Sequence, residues 1–297
     1  MHIANLKALV CPLSNEPLEI EISKQKGQDI IKGNLVSSKS KRTYSINDGI
    51  PDLIFPDKLK ALDQEFNEKY SASASQYDVG MKWLFSSFYE DEENVRTKLV
   101  ELLGLKPAHF VLNLGCGTGS DSVYIQRTLN RKGKLFNLDL TDDLLNIAKR
   151  KLGNSSENIE YIQGNASYLP FQPNTFDSVF HFGGINMFSE KKKAIQEMTR
   201  VTKPGGRVVF GDEGSAPWLR NKLYGKIIRN ANPLYNHKPP MNLLPQNAQD
   251  VSLHYLLGNS FYAISYKVGD KPKLNLDLPI PGKRGGTLRS RYEAISK

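Results

Sequence analysis

The chain has 297 residues, 39 % of them hydrophobic and 24 % charged, with two cysteines and a formal net charge of +9. That length suits one large domain beside a small one, with a sizeable buried core. No apolar run approaches the roughly 20 residues of a membrane span, the first residues lack a signal-peptide layout, and Cys11 and Cys116 make no disulfide framework, so a cytoplasmic protein without a span is expected.

The charge is uneven. Ser215 to Lys297 holds 13 basic and 4 acidic residues, the whole of the formal excess, while residues 1–214 balance. A basic C-terminal third suits an anionic partner: nucleic acid, a membrane surface or an anionic substrate. A solvated basic tail accounts for it equally well.

Residues 1–57 read as a small β unit. Ile20 to Ile22 and Ile30 to Val36 alternate, and Asn47-Asp48-Gly49 is a tight-turn signal between two further short strands. Residues 58–104 change to helical spacing, with Leu59, Leu62 and Phe66, then Val95, Leu99, Leu102 and Leu103. Between them S-A-S-A-S-Q-Y-D, Ser71 to Asp78, reads as a polar connection. From Phe110 on, strands alternate with helices. The strands are expected at Phe110–Leu114, Lys134–Leu138, Ile159–Gln163, Ser178–Phe182 and Arg207–Gly211. Helices fit at Thr141–Leu152, with Thr141 as N-cap, and at Lys191–Val201. Lys203-Pro204-Gly205-Gly206 turns the latter into the next strand. This alternation implies a parallel sheet with helices on both faces. Residues 251–268 read instead as an antiparallel hairpin turning at Gly258-Asn259.

The stretch V-L-N-L-G-C-G-T-G, Val111 to Gly119, places Gly115, Gly117 and Gly119 where a strand ends and a helix begins. In an open α/β sheet, ligands bind at that end of the strands, and glycine lets them approach the main chain. A dinucleotide loop has G-x-G-x-x-G/A; here Ser120 stands at the third position and Gly119 comes one residue early. Asp139 ends the second strand, where a carboxylate can accept from both ribose hydroxyls of either NAD or S-adenosylmethionine. The glycine spacing favours the latter. Gly164-Asn165-Ala166 follows the third strand, and an amide oxygen there could accept from an adenine amino group.

Four segments in order, V-L-N-L-G-C-G-T-G, L-F-N-L-D-L-T, G-N-A-S-Y-L-P-F-Q-P-N-T-F-D-S-V-F and V-T-K-P-G-G-R-V-V-F, resemble a class I S-adenosylmethionine-dependent methyltransferase. The likeness is to the branch with ubiquinone/menaquinone-biosynthesis enzymes, over roughly residues 65–268. The resemblance implies an α/β fold: a Rossmann-like, mainly parallel seven-stranded sheet closed by an antiparallel hairpin. It also implies that Gly115, Cys116, Gly117 and Gly119 run beside the methionine part of the cofactor, Asp139 and Leu140 beside the ribose, and Asn165 and Ala166 beside the adenine. The family usually has an acid where Asn113 stands and Asp where Asn165 stands, so weaker cofactor binding is expected. Cys116 reads as a packing residue rather than a nucleophile.

Methyl transfer from a sulfonium needs alignment and exclusion of water more than it needs a base. His181 ends the fourth strand and is the candidate base, although a strand histidine is more often structural. Gly183, Gly184, Asp212, Glu213 and His237 are candidate acceptor contacts, and Tyr77 is a candidate lid residue. The Pro- and Asn-rich segment 215–250 would build the acceptor pocket. Its Asn232-Pro233-Leu234-Tyr235 resembles the N-P-P-Y of adenine-modifying enzymes, but follows the fifth strand rather than the fourth. The tail 281–291, with Lys283, Arg284, Arg289 and Arg291 among its glycines, could fold over an anionic acceptor.

Residues 6–55, with L-V-C-P-L-S and Y-S-I-N-D-G-I-P, resemble the zinc-ribbon-like domains that accompany some methyltransferases. Of the four ligands a structural zinc needs, Cys11 alone stands out, and Ser14 occupies a cysteine position; no metal is expected. The division expected is therefore 1–57, 58–268 and a basic tail, 269–297. The leading reading is methyl transfer to a small molecule, which the basic segment would allow to be anionic. An RNA methyltransferase, or a scaffold that binds cofactor without turnover, stands as the alternative.

Overall fold

A computed structural model describes residues 1–270, 275–282 and 285–295. Four strands come first, β1 (Glu19–Lys26), β2 (Asp29–Val36), β3 (Thr43–Asn47) and β4 (Ile50–Pro51), then helices α1 (Ala61–Ser73), α2 (Tyr77–Ser87) and α3 (Glu92–Glu101). The alternating part runs β5 (Phe110–Leu114), α4 (Ser120–Leu129), β6 (Lys134–Asp139), α5 (Asp142–Leu152), β7 (Ile159–Gln163), β8 (Phe176–Phe182), α6 (Lys191–Val201) and β9 (Thr202–Glu213). Helix α7 (Leu223–Ala231), the strands β10 (Ala248–Leu256) and β11 (Phe261–Val268), and helix α8 (Leu288–Ile295) follow.

The large sheet has the order β10-β11-β9-β8-β5-β6-β7. The pairs β5/β6, β6/β7, β5/β8 and β8/β9 are parallel, and β11 is antiparallel to both its neighbours. This is the expected Rossmann-like sheet with a closing hairpin. The hairpin turns where Leu257, Gly258 and Asn259 all take positive φ. Strands β5 to β8 are buried on both faces, their polar Asn113, Asn137, Glu160 and Ser178 included. Helix α5 carries Asp142 and Asp143 in its first turn and Lys149, Arg150 and Lys151 in its last, which complements the helix dipole. Its buried Leu144, Leu145 and Ala148 share one face.

Three local expectations change. Ser71 to Asp78 is helical: α1 runs to Ser73, a 3-10 turn spans Ala74–Gln76, and α2 starts at Tyr77. Ala74 is buried, and Ser71 donates to Asp143, so the small side chains allow close packing. Lys203 to Gly206 belongs to β9 as an irregularity, where pairing to β8 jumps from Phe176–Thr202 to Ser178–Arg207. Thr141 precedes α5 as expected, but its hydroxyl donates to Asn67 Oδ1 of α1 instead of capping its own helix.

The small antiparallel sheet, β1-β2-β3-β4, sits against the β7 edge. Asp52 makes a parallel bridge to Gln163, and Leu53 N donates to Gln163 O at 2.8 Å. Val10 N donates to Pro170 O, and Gln172 N to Ala8 O. One core is shared: Leu9, Ile30, Leu35 and Ile46 pack in the same cluster as Phe136, Ile162 and Phe171. At the tip of the small sheet, Cys11 Sγ lies 3.4 Å from Ser40 Oγ and 3.2 Å from Tyr44 Oη, and Ser14 Oγ lies 3.4 Å from Ser37 Oγ. Cys11-x-x-Ser14 and Ser37-x-x-Ser40 thus occupy a ribbon's paired ligand positions with one thiol and three hydroxyls. Hydroxyls are not among the usual zinc ligands. Among the described residues no cluster of three or more His, Cys, Asp or Glu could hold a metal, and no helix is long and apolar enough to cross a membrane.

Phe171 is fully buried, with the Phe176 ring centroid 4.9 Å away and that of Phe136 at 5.9 Å. Phe171→Ala should cost about 3–5 kcal/mol, read as a lower urea midpoint at unchanged slope. A loss below about 1 kcal/mol, well under the usual cost of such a truncation, would show that the two sheets do not depend on a common core.

Candidate active site

A cleft of about 710 Å³, counting its open mouth, lies at the carboxyl ends of β5, β6, β7 and β8. The loop after β5 forms its floor, with Gly115, Gly117 and Gly119 at φ of 60°, 53° and 78°. A side chain at Gly115 would press on the His181 ring, 3.1 Å away. At Gly119 it would strike Leu152 and Ala148 of α5. The third glycine therefore lets α4 pack on α5 and does not line the cleft, which corrects the expectation for Gly119.

Asp139 lies in the cleft wall, 7 % exposed. One carboxylate oxygen accepts from Gly117 N at 2.7 Å and the other from Thr141 N at 2.9 Å. Burial raises its pKa, against the pull of these bonds. Leu140, Asn165 and Ala166 line the same wall. The Asn165 oxygen accepts from Ser167 N at 2.9 Å, so the amide also closes its own loop.

Asn113 does not reach the cleft. It pairs with Asn137 across β5 and β6 and is 2 % exposed. Its Nδ2 donates to Ser122 Oγ at 2.8 Å, and Ser122 Oγ donates to Asn137 Oδ1 at 2.6 Å. Asn137 Nδ2 in turn donates to Glu160 O, which fixes the direction of the chain. The Ser122 hydroxyl has one proton, already directed at Asn137, so position 113 must donate. An ionised carboxylate cannot. The amide is thus structural, and the expected loss of a charge beside the cofactor is corrected.

His181 lines the cleft and is 1 % exposed. Its Nδ1 lies 2.8 Å from Leu114 O, so Nδ1 carries the hydrogen and Nε2 a free lone pair. Nε2 is buried without a partner. Burial lowers the pKa, which keeps the ring neutral. Gly183 and Gly184 complete this end of the cleft.

Helices α1 and α2 close over the top. Phe66, Asn67, Tyr70 and Tyr77 line the cleft, and the Tyr77 ring stands 3.7 Å from where a Gly117 side chain would be. Tyr70 and Tyr77 meet edge-on at 6.0 Å. Asp63 and Ser189 exchange two hydrogen bonds, which ties the start of α1 to the loop after β8. Asp63, Phe66, Asn67 and Tyr70 were not foreseen, whereas Met187 and Phe188 belong to the loop after the fourth strand, His181 to Phe188, that was expected to face the methyl group. The helical spacing placed Phe66 on a face, but nothing in the sequence said what that face covers.

A second cavity adjoins the first and shares Tyr70, Tyr77, Gly115, Gly183 and Met187 with it. Met81, Leu84, Phe182 and Phe261 give it an apolar side, and Ser73, Gln76, Arg96, Thr118, Ser120, Asp121 and Glu213 a polar one. Burial and the neighbouring Asp212 push the Glu213 carboxyl well above the usual carboxylate range. Burial likewise keeps the Cys116 thiol protonated; it lines this cavity, not the cleft. Arg96 is spent on Glu92 and Asp121, at 2.8 and 2.6 Å. The cavity therefore presents no unpaired cation among the described residues, which disfavours an anionic acceptor. Asp212 is fully buried and accepts from Asn186 N and Glu213 N, so it supports the loops rather than facing a ligand. His237 lines neither space; its carbonyl accepts from Arg220. Tyr235 is buried against Phe88 and Phe261. In the tail, Lys283 and Arg284 lie outside the described residues, Arg289 pairs with Asp277, and Arg291 donates to Gly285 O.

Residues 58–220, more than half of the chain, match the ubiE/COQ5 methyltransferase family. The chain belongs to that family. Residues 6–49 match the Trm112p-like proteins. The ubiquinone/menaquinone biosynthesis C-methyltransferase UbiE of Wigglesworthia glossinidia brevipalpis is 39 % identical over 114 residues, 38 % of this chain and 46 % of its own. That of Pasteurella multocida is 31 % identical over 182 residues, 56 % of this chain and 67 % of its own. The chain thus spans about half to two thirds of the curated relatives it matches. Among solved structures, a chain from the complex of the Haloferax volcanii Trm112 methyltransferase activator with a methyltransferase superposes at a TM-score of 0.50 and 12 % identity, over 70 % of this chain and 99 % of that one. Haemonchus contortus phosphoethanolamine N-methyltransferase 2, bound to S-adenosyl-L-methionine, superposes at 0.53 and 14 %, over 77 % and 63 %. These likenesses show the fold. The 58–220 portion of this ubiE/COQ5 family member is a class I S-adenosylmethionine-dependent methyltransferase domain.

In this family member, Asn113→Asp should lower stability by about 1–3 kcal/mol, because Ser122 is then left between two acceptors. Its affinity for S-adenosylhomocysteine, measured where the protein is fully folded, should stay within about two-fold of the parent. A ten-fold tighter variant, about 1.4 kcal/mol, would mean that position 113 faces the cofactor after all.

Proposed function

We propose that the cleft holds S-adenosylmethionine and that the adjoining cavity holds the small molecule that is methylated. The observation that carries this reading is Asp139: a carboxylate fixed by two backbone N–H groups, with lone pairs left toward a cleft whose floor is bare main chain. Bound there, the cofactor supplies a methyl group already activated on sulfur. Asp139 accepts from the ribose hydroxyls, and Asn165 with Ala166 borders the base. His181 Nε2, the orphaned acceptor beside Gly184, takes the amino group at the other end. It acts as a positioning group and not as the base expected from sequence. Glu213, in the wall of the adjoining cavity, is the polar group that faces the acceptor, while Tyr70, Tyr77, Phe182 and Phe261 exclude water around the transfer. The apolar side of the cavity, with no unpaired cation among its described residues to meet phosphates, favours a small ring-bearing or aliphatic acceptor over an RNA base attached to phosphates. The scaffold reading loses part of its support, since Asn113 has a structural reason to be an amide.

We further take residues 1–57 as a Trm112-like unit acting in cis, 58–268 as the methyltransferase domain and 269–297 as a basic tail.

Calorimetric titration should show S-adenosylhomocysteine binding and no NAD binding; the reverse would sink this reading. Asp139→Ala should weaken S-adenosylhomocysteine at least about ten-fold, as each charge-assisted bond contributes roughly 1.5–3 kcal/mol. His181→Leu should weaken it about ten-fold, as expected for one lost bond to a charged group, yet leave 5′-methylthioadenosine, which lacks the amino-acid end, unchanged. Equal loss for both ligands would place His181 elsewhere in the site.

A further inference from the structure

The segment between β9 and β10 carries an apolar face that none of the described residues covers. Trp218 is 59 % exposed, Leu223 75 % and Ile227 57 %. Leu223 and Ile227 are one turn apart on α7, and Tyr224, 43 % exposed, lies beside them. The segment is held firmly. Gly225 packs against the Leu219 carbonyl, the Tyr224 hydroxyl reaches the Gly258 turn, and Trp218 meets the Tyr255 ring edge-on at 5.1 Å. The exposed face is therefore a fixed surface of the fold.

Its charge is equally one-sided. From Ser215 to Asp250 the basic residues are Arg220, Lys222, Lys226, Arg229 and Lys238, and Asp250 is the one acid. Arg220 and Arg229 donate to the backbone carbonyls of Asn236, His237, Gly225 and Arg220 and to the Asn236 side chain, so they hold the segment together. Lys222, Lys226 and Lys238 are exposed. Among the described residues, none of the five pairs with a carboxylate.

We infer that this face docks on an anionic phospholipid bilayer surface. Exposed Trp, Leu, Tyr and Ile beside the exposed Lys222, Lys226 and Lys238 are the chemistry of a helix that lies in the headgroup region. The apolar side chains enter the acyl boundary while the cations meet lipid phosphates. A protein partner fits less well, because protein interfaces are depleted in lysine at their cores. A nucleic acid would engage the cations but offers no apolar medium for Leu223 and Ile227. The inference does not depend on the cofactor cleft, since none of these side chains lines it.

The test is flotation of the full chain with vesicles of phosphatidylcholine alone or mixed with phosphatidylglycerol. The protein should float with the mixed vesicles at low salt, remain free with the neutral ones, and be released as salt rises. Leu223→Ser with Ile227→Ser, and separately Lys222→Glu with Lys226→Glu, should each lower the bound fraction about ten-fold. Both variants should keep the parent's urea midpoint and S-adenosylhomocysteine affinity, which separates lost docking from lost folding. Failure of the parent to float with anionic vesicles overturns the proposal, as does full binding by both variants. If the serine variant instead turns a sedimenting dimer into a monomer, the face is a contact between copies and the proposal falls. Should S-adenosylhomocysteine fail to bind even the parent, the cofactor reading fails and the docking result stands or falls alone.

Discussion

A buried charge governs the geometry of this site. The Asp139 carboxylate is almost withdrawn from water, and such a group is costly unless its oxygens are satisfied. Two N–H groups satisfy them, from Gly117 of the first loop and Thr141 at the start of α5. Because α5 begins there, its positive dipole end also faces the acid. One side chain thus fixes three elements: the glycine loop, the end of β6 and the entry to α5. The loop can present its N–H downward because Gly117 holds a positive φ that other residues adopt at a cost. Once the loop is in place, Gly119 can bring α4 close to α5. Three glycines at alternate positions therefore answer three demands: room for His181, contact with Asp139, and helix packing.

The cover over the cleft is built differently. Helix α1 buries little beyond Asp63 and is attached through polar contacts, to Ser189, Thr141 and Asp143. Helix α2 is tied through Asp78 to Thr118 and Lys151. Hydrogen bonds at a wet surface each contribute little net, because water replaces them. The floor rests instead on a packed sheet. Displacing α1 therefore costs less than moving the floor.

The sequence carried the sheet well and the side-chain roles unevenly. Strands β5 and β7 were legible to the residue, since each is a short stretch rich in Val, Ile, Leu, Phe or Tyr that stops at a glycine, Gly115 or Gly164. The hairpin was legible from Gly258-Asn259. Ser71 to Asp78 was misread because small polar residues look like a connection until something packs on them, and Ala74 is buried. Lys203 to Gly206 has the composition of a turn, yet an irregular strand can hold the same residues. Asp139 and the first two glycines could be placed because their tasks are local. Asn113 could not, because its reason lies in Ser122 and Asn137, which only the β5–β6 register brings alongside. Tyr70 and Met187 belong to elements that meet solely through the chain's path over the sheet.

The small N-terminal sheet bears on the cofactor site through the same logic of backbone satisfaction. Strand β7 is the edge of the large sheet, and an unpaired edge is open to wrong partners. Leu53 N closes it at Gln163, immediately before the loop that carries Asn165 and Ala166. That loop is then held from both sides: Gly164 N donates to Asp139 O within the large domain, while Val10 and Ala8 grip Pro170 and Gln172 from the small one. With Phe171 anchored in the common core between them, the base-side wall of the cleft cannot shift without disturbing the small sheet. A small sheet that brings one thiol and three hydroxyls together where a ribbon would hold metal can still serve here, because what it supplies is an edge, a clamp and apolar surface.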